Sequence, residues 1–410
     1  MKTAFAKPLI VQPDQTSVPL ERVPLSGSES TAVYSEDWLQ NLLYSHPQSL
    51  PIAEIDDSFS GLVPVCREMN TSAGPVDVVY ITPSGRPVIV EAKLWRSPEA
   101  RRKVIGQVLD YAKELSRWNY ETFDAAVRRA RRVEDGDSPK GLAEVLDLAP
   151  GSTETARLFD AVSQSLKRGD LLLLIVGDGI REGVGAIAEF LEGHGSLHFT
   201  FGLVEMAIFQ LPDGGQLVQP RVLAQSTIVR RTVVEVVGGA VSIREEDMAD
   251  VAAEEQTGLE DRPDLLERRA MFEGFWTRFL ERLALDDTSQ PIKAPSKGTN
   301  QVFHMPDGSE CWVSAYLARK NQNAGVFLTW RKDVVGKRMS EALREQRPEI
   351  LGLLGDNVDW DDWGIVRKRS FPGELTDPQR DDVVNWLVEE TRRFVGVFRP
   401  RLEKLVSESA

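Results

Sequence analysis

Thiol and imidazole are scarce in this 410-residue chain. Its two cysteines, Cys66 and Cys311, lie far apart and make no disulfide framework. The four histidines are His46, His194, His198 and His304. They offer no zinc constellation, because His194 and His198 would need a helix to align them and Gly195 argues against one. No run of eighteen apolar residues occurs, and the opening MKTAFAKPLIVQPDQ has no continuous apolar segment of signal-peptide length. Neither membrane insertion nor export is indicated, and a cytoplasmic location is expected. A G-x-x-x-x-G-K-[ST] loop is absent too, which removes support for intrinsic ATPase activity. Positive charge is also short overall, at a formal net of −14.

What is present gathers first in PVDVVYITPSGRPVIVEAKLW, Pro75 to Trp95. Two apolar runs flank Pro83-Ser84-Gly85, and a three-residue hairpin loop with Gly85 at positive φ sets the register. Thr82 then faces Arg86, Tyr80 faces Val88, and Asp77 faces Glu91. With a side-chain period of two, Ile89, Glu91 and Lys93 share one face while Val88, Val90 and Ala92 share the other. Like charges directly opposite destabilise a hairpin. A divalent cation between the carboxylates would supply a reason for them: Mg²⁺ takes hard oxygen ligands, and a metal-bound water is a stronger nucleophile. Lys93 could orient that water or neutralise charge developing on a phosphate. The plainer reading is a solvated hairpin face carrying an incidental Glu-Ala-Lys.

Beyond the hairpin, Ser97-Pro98-Glu99 reads as a helix start. Val104, Val108, Ala112 and Leu115 then form an apolar stripe, with Tyr111 beside it. Gln107 and Tyr111 stand one turn apart on this helix. Before the hairpin, YSEDWLQNLLYSHP predicts a helix capped by Ser35, with Trp38, Leu39, Leu42 and Leu43 as its apolar face and Glu36 in its first turn, where the helix dipole favours an acid.

Asp77, Glu91-Ala92-Lys93 and Gln107-Val108-Leu109-Asp110-Tyr111 together resemble the PD-(D/E)xK nuclease superfamily, in particular its RecB-type branch with a Q-x-x-x-Y helix. The resemblance implies Asp77 and Glu91 as Mg²⁺ ligands, with Mn²⁺ as a substitute, and the Ala92 backbone carbonyl as a further ligand. It makes Lys93 catalytic, gives Gln107 and Tyr111 supporting or substrate-touching roles, and matches Glu36 to an additional acid. Val76 stands where the family has proline, with Pro75 one place earlier. DNA is the implied substrate and phosphodiester hydrolysis the implied reaction, in bacterial defence or DNA repair. The alternative is a catalytically silent nuclease-fold protein acting as a nucleic-acid-binding or regulatory scaffold.

Charge distribution fits nucleic acid better than the sum does. Arg96 to Lys140 holds eleven Lys or Arg against eight acids. Arg96, Arg101, Arg102 and Lys103 lie beside the candidate site and are expected to bind nucleic acid, and Arg128 to Arg132 reads RRARR. Acid concentrates in Arg244 to Asp264, with nine acids against two arginines.

The expected organisation is an N-terminal extension or edge strand over 1–30, a nuclease-like domain over 31–237, an acidic linker over 238–264 and a C-terminal domain over 265–410. The first domain is expected to be α/β, a restriction-endonuclease-like mixed sheet flanked by helices. It is read with helices to about Val133, over Glu154 to Leu166 and over Val184 to Leu191, and with strands over Asp170 to Asp178 and His198 to Leu211. The last domain is expected to be α+β, with helices over Leu265 to Leu285, Val335 to Leu354 and Asp377 to Leu405. FWTRFLERL, EILGLLGDNVDWDDW and NWLVEETRRFVGVF resemble a domain of unknown function found at the C-terminus of bacterial restriction-like nucleases. That domain lends no chemistry, and homo-oligomerisation through it is one expected role. Asp356, Asp359, Asp361 and Asp362 lack the spacing of a calcium loop and read as an exposed acidic turn.

Overall fold

Leu171 to Val176 is an unbroken apolar run bounded by Gly169-Asp170 and Gly177-Asp178, the pattern of a strand covered on both faces. The computed structural model places Leu172–Asp178 as such a strand, inside a seven-stranded mixed sheet. It describes residues 7–23, 35–94, 98–178, 199–225, 232–237, 240–245, 263–283, 285, 294–318, 322–331, 334–355, 357–371 and 377–408. The chain divides into two compact units, residues 1–145 with 164–230, and residues 146–163 with 231–410. Among the described residues no helix is long and apolar enough to cross a membrane.

The first unit opens with β1 (Leu9–Val11) and β2 (Ser17–Pro19), a small antiparallel pair. There follow β3 (Glu21–Arg22), α1 (Glu36–Ser45), α2 (Ile52–Asp56), β4 (Val63–Thr71), β5 (Gly74–Ile81), β6 (Pro87–Leu94), α3 (Pro98–Leu115), α4 (Tyr120–Asp135), α5 (Leu142–Val145), α6 (Thr153–Arg168), of which residues 153–163 belong to the second unit, β7 (Leu172–Asp178), β8 (Thr200–Gln210) and β9 (Gln216–Gln225). The sheet runs β3-β8-β7-β6-β5-β4, with β9 also on β8. β6, β7 and β8 are parallel and the hairpins antiparallel. One face carries Val78, Tyr80, Val88, Val90, Ala92, Leu172, Leu174, Val204 and Met206 against Leu39 and Leu43 of α1 and Ile52 and Ile55 of α2. α3 contacts β5 and β7 and buries its predicted stripe, Val104, Val108, Tyr111, Ala112 and Leu115. Burying a Leu or Val side chain stabilises by about 1.5–3 kcal/mol, so these apolar residues fix the position of the few charged ones among them.

The second unit holds β10 (Thr232–Val237) paired with β11 (Ala240–Glu245), then α7 (Pro263–Arg282) and a five-stranded antiparallel sheet. Its order is β12 (Asn300–His304), β13 (Cys311–Ala318), β14 (Asn323–Trp330), β16 (Gly364–Ser370) and β15 (Asp359–Asp361). α8 (Val334–Glu345), α9 (Arg347–Leu354) and α10 (Asp377–Ser407) complete it. Phe272, Phe275, Trp276 and Phe279 of α7 share a core with Val326 and Leu328 of β14 and Phe394 and Phe398 of α10.

Some expectations changed. Val335 to Leu354 is two helices, because Pro348 opens a new one at its first turn. The acidic segment is exposed at Asp359, Asp361 and Asp362 as expected, but Asp359 and Asp361 lie in β15, and Asp361 is tied down: it accepts the N–H groups of Trp363 and Gly364 at 2.7 and 3.0 Å and both its oxygens meet Arg157. Residues 240–245, at the start of the expected linker, form β11. The helix read over Val184 to Leu191, His194, His198 and Asp356 lie outside the described residues.

Candidate active site

The hairpin turns where the sequence places it. The Thr82 N–H donates to the Arg86 carbonyl at 3.0 Å, and the Arg86 N–H donates to Thr82 Oγ1 at 3.0 Å. Gly85 has φ of +80°, which a residue with a Cβ adopts only at a cost. Tyr80 faces Val88 and Val78 faces Val90, so the next pair in this register is Asp77 with Glu91. The paired ladder stops one step short of it. There Asp77 Oδ2 accepts the Ala92 N–H at 2.7 Å, a carboxylate taking an amide at the end of the ladder. β6 continues along β7 as far as Leu94 beside Asp178. The carboxylates thus sit where one side of β6 loses its backbone partner.

Neither acid is on a solvated face. Asp77 is 6 % exposed and Glu91 fully buried. Lys93 Nζ lies 2.9 Å from Glu91 Oε1, 4.0 Å from Asp77 Oδ2 and 3.7 Å from Glu36 Oε2. Glu36 arrives from α1 around the end of β6, where its Oε1 accepts the Leu94 N–H at 3.1 Å. Ser35 caps that helix as predicted, its Oγ accepting the Trp38 N–H at 3.1 Å. Burial, then the neighbouring Glu91 charge, pushes the Asp77 carboxyl up to about 7, against the opposing pull of Lys93 and the Ala92 N–H. Burial raises Glu91 as well, and Lys93 opposes it. For Lys93 burial works against the ammonium, but Glu91 and Asp77 outweigh it and its pKa rises. One cation thus holds three carboxylates together.

Gln107 and Tyr111 meet this cluster from α3. Gln107 Nε2 donates to the Tyr111 hydroxyl at 2.6 Å. That hydroxyl donates to the Pro75 carbonyl and lies 3.3 Å from Glu91 Oε2. The start of β5 and the Glu91 carboxylate are therefore fixed by one buried phenol. Arg96 lies outside the described residues; Arg101, Arg102 and Lys103 are on α3. Within RRARR, Arg128 pairs with Asp124 and Glu144, and Arg131 pairs with Asp135 and donates to the Val65 carbonyl, so both are used inside the fold.

Two residues at the site were not anticipated, because β4 itself was not. Arg67 donates to Asp37 Oδ1 at 2.6 Å, to Gln40 Oε1 at 2.7 Å and to Asn41 Oδ1, tying β4 to α1. Glu68 is exposed, with φ of +50° inside a strand. Its neighbours Arg67 and Met69 face Val78 and Val76, so it stands at the level of Asp77, whose carboxyl its charge helps to raise. The signal for both was the polar Arg-Glu pair two strands from the Glu-Ala-Lys.

A hard divalent cation is the kind of group this donor set suits. Glu91 Oε1 is buried and accepts no hydrogen bond of good geometry, with Lys93 Nζ as its near neighbour. Among the described residues no group of three or more His, Cys, Asp or Glu stands ready to hold a metal ion. In this arrangement the Lys93 ammonium supplies the positive charge. No family model matches the chain, and neither a curated protein nor a solved structure matches it.

Proposed function

We propose that this protein is a Mg²⁺-dependent nuclease of the PD-(D/E)xK type, with a restriction-endonuclease-like first unit, hydrolysing phosphodiester bonds in DNA. The observation that supports it most is the meeting of Asp77, Glu91, Lys93 and Glu36 at one end of β6, with the Gln107–Tyr111 pair bonded behind Glu91. Residues far apart in the chain, each implied by the resemblance, come together. Asp77 and Glu91 would hold the cation, with the Ala92 carbonyl. When bound, a divalent cation lowers the pKa of a coordinated water and stabilises charge on the phosphoryl oxygens.

The chain's own groups do the rest. Tyr111 and the Ala92 N–H fix where the two carboxylates point. Lys93 is held ionised by its acids and stands ready to neutralise charge on the phosphate undergoing attack. Glu36 keeps Lys93 in place from the other face of the sheet. Bacterial defence or DNA repair is the setting that the resemblance suggests, and assembly of copies through the second unit is part of the same proposal.

Asp77→Ala and Lys93→Ala test this in purified protein with Mg²⁺ or Mn²⁺ and a panel of single-stranded, double-stranded and branched DNA. Each change is expected to lower cleavage by at least ~100-fold, the scale of losing a transition-state charge contact. Wild-type rates in both variants would sink the assignment. A second reading, a silent nuclease fold that binds nucleic acid, draws on the complete burial of Glu91 and the ammonium already lodged among the acids. Tight DNA binding without cleavage by the wild type, indifferent to Mg²⁺, would favour it.

A further inference from the structure

The arginine run RRARR on α4 is used in two different ways. Arg128 and Arg131 are each matched by an acid four residues away, Asp124 and Asp135, at 2.8 and 2.7 Å. Arg129 and Arg132 are exposed, and among the described residues neither makes a hydrogen bond or an ion pair. Side chains three and four residues apart are the ones that meet on a helix, and the sequence offers these two arginines no acid there. Around Arg129 those positions hold Ala125, Ala126, Arg132 and Val133. Around Arg132 they hold Arg128, Arg129, Asp135 and Gly136. Asp135 already gives both its oxygens to Arg131. Two guanidinium groups are thus left unmatched on one helix, beside two that are matched.

Helix α4 contacts β4, and Tyr120, Phe123, Ala126 and Val127 are its buried side. At about 3.6 residues per turn the outward stripe is Thr122, Ala125, Arg129, Arg132 and Val133. No member of it is acidic, Ala125 places only a methyl group ahead of Arg129, and Val133 is 95 % exposed. A face with two cations, no anion and a bare apolar side chain is complementary to a polyanion. A DNA strand carries one phosphate for about every 3.4 Å of helix axis, and Arg129 and Arg132 stand about 4.5 Å apart along α4, so both can meet phosphates of one duplex. Guanidinium suits that ligand, because its planar fork matches phosphate oxygens. The helix is also anchored to elements of the candidate site. Arg131 donates to the Val65 carbonyl of β4 at 2.6 Å and to the Tyr44 hydroxyl of α1 at 3.1 Å. Val65 lies about 10 Å along β4 from Glu68, the length of about three base pairs. A duplex engaged at the candidate site is long enough to reach α4.

We propose that the outward face of α4, with Arg129 and Arg132 as its contacts, binds the phosphate backbone of duplex DNA. The choice of DNA rests on the nuclease reading, but the test does not need cleavage. The full chain is titrated with a labelled duplex of about 20 base pairs, with Ca²⁺ in place of Mg²⁺, between 50 and 200 mM salt. Each phosphate contact contributes about 0.9 to the slope of log Kd against log salt. Arg129→Gln and Arg132→Gln are each expected to lower the slope by about 0.9 and to weaken binding about three- to tenfold at 100 mM salt, and the double variant to lower it by about 1.8. Arg129→Lys is expected to keep the slope, since it keeps the charge. Ala125→Glu sets a carboxylate four residues before Arg129, as Asp124 stands to Arg128, and is expected to lower the slope as Arg129→Gln does. A merely solvated face would leave every slope at the wild-type value. An unchanged slope in the folded double variant, or no DNA binding by the wild type, overturns the surface. If the double variant does not fold, Ala125→Glu decides by the same slope. Slopes that fall as expected without Mg²⁺-dependent cleavage by the wild type leave the surface standing and remove the nuclease reading. Unchanged slopes with wild-type cleavage that is lost in Asp77→Ala do the reverse.

Discussion

Asp77 keeps its proton well beyond the usual carboxylate range, and this gives a pH effect of definite sign. The folded protein releases that proton near pH 7, the unfolded chain near about 3.9. Between those values the native state binds more protons, so the stabilisation is complete below the unfolded pKa and is lost as pH rises through the folded one. Without divalent ions the melting temperature is expected to fall between pH 5 and pH 8, and Asp77→Asn to flatten the decline. At pH 8 that variant should melt at least ~2 °C higher, the shift produced by about 1 kcal/mol in a unit of this size. A decline of equal slope in Asp77→Asn would show that another group carries it. At this scale the sequence was highly legible: the loop at Pro83 to Gly85 fixed the register, and period-two alternation placed Asp77, Glu91 and Lys93 on one face. Burial was not legible. Alternation says which residues share a face, but nothing in the hairpin says that α3 covers that face and brings Tyr111 within 3.3 Å of Glu91.

Helix α1 brings an acid to the site only while its own orientation is held, and Arg67 is the clamp. Three acceptors on α1, at Asp37, Gln40 and Asn41, converge on one guanidinium from β4. Gln40 is buried, so Arg67→Met leaves an acceptor unsatisfied and is expected to cost about 1–3 kcal/mol of stability. A further consequence follows if Arg67 positions Glu36. On the proposed nuclease reading, Arg67→Met should slow cleavage several-fold in the wild-type background and add little to Glu36→Gln, a coupling within the 0.5–3 kcal/mol seen between linked residues. Independent, multiplicative effects in the double variant would break the link between clamp and acid. β4 escaped sequence reading because Val63–Thr71 mixes Pro, Cys, Arg, Glu and Asn with few branched residues and shifts register between Pro64 and Cys66. β15 and β16 were missed for a related reason: Arg367, Lys368 and Arg369 follow one another in β16, so charge falls on both faces of the strand and hides the alternation. The helices were easier, since Ser35, Pro98 and Pro348 mark their starts by capping or by ring geometry.

The first three turns of α6 belong to a different unit from the strand that follows them. Residues 146–163 lie in the second unit, while 164–230 return to the first, so the chain passes between units more than once. The attachment within the second unit is chemical as well as apolar. Arg157 is 6 % exposed and meets both oxygens of Asp361 at 2.9 and 2.8 Å. Asp160 is buried, accepting from Asn300 Nδ2 at 2.7 Å and from the Ser314 hydroxyl, and burial pushes its carboxyl up to about 6. Thr153 and Tyr316 share a hydroxyl contact of 3.2 Å. Composition could not show this, because an amphipathic helix announces a face to be buried and not the sheet that buries it. The crossing at 230–231 is therefore only one of three covalent routes joining the units. A specific protease site inserted there is expected to leave both fragments co-eluting on gel filtration, because the N-terminal fragment carries residues 146–163 of the second unit. Asp160→Ala leaves Asn300 Nδ2 and the Ser314 hydroxyl short of a partner, at about 1–3 kcal/mol, and should make the cut fragments separate more readily. Clean separation of the unmutated fragments under native conditions would mean that α6 does not hold to the second unit.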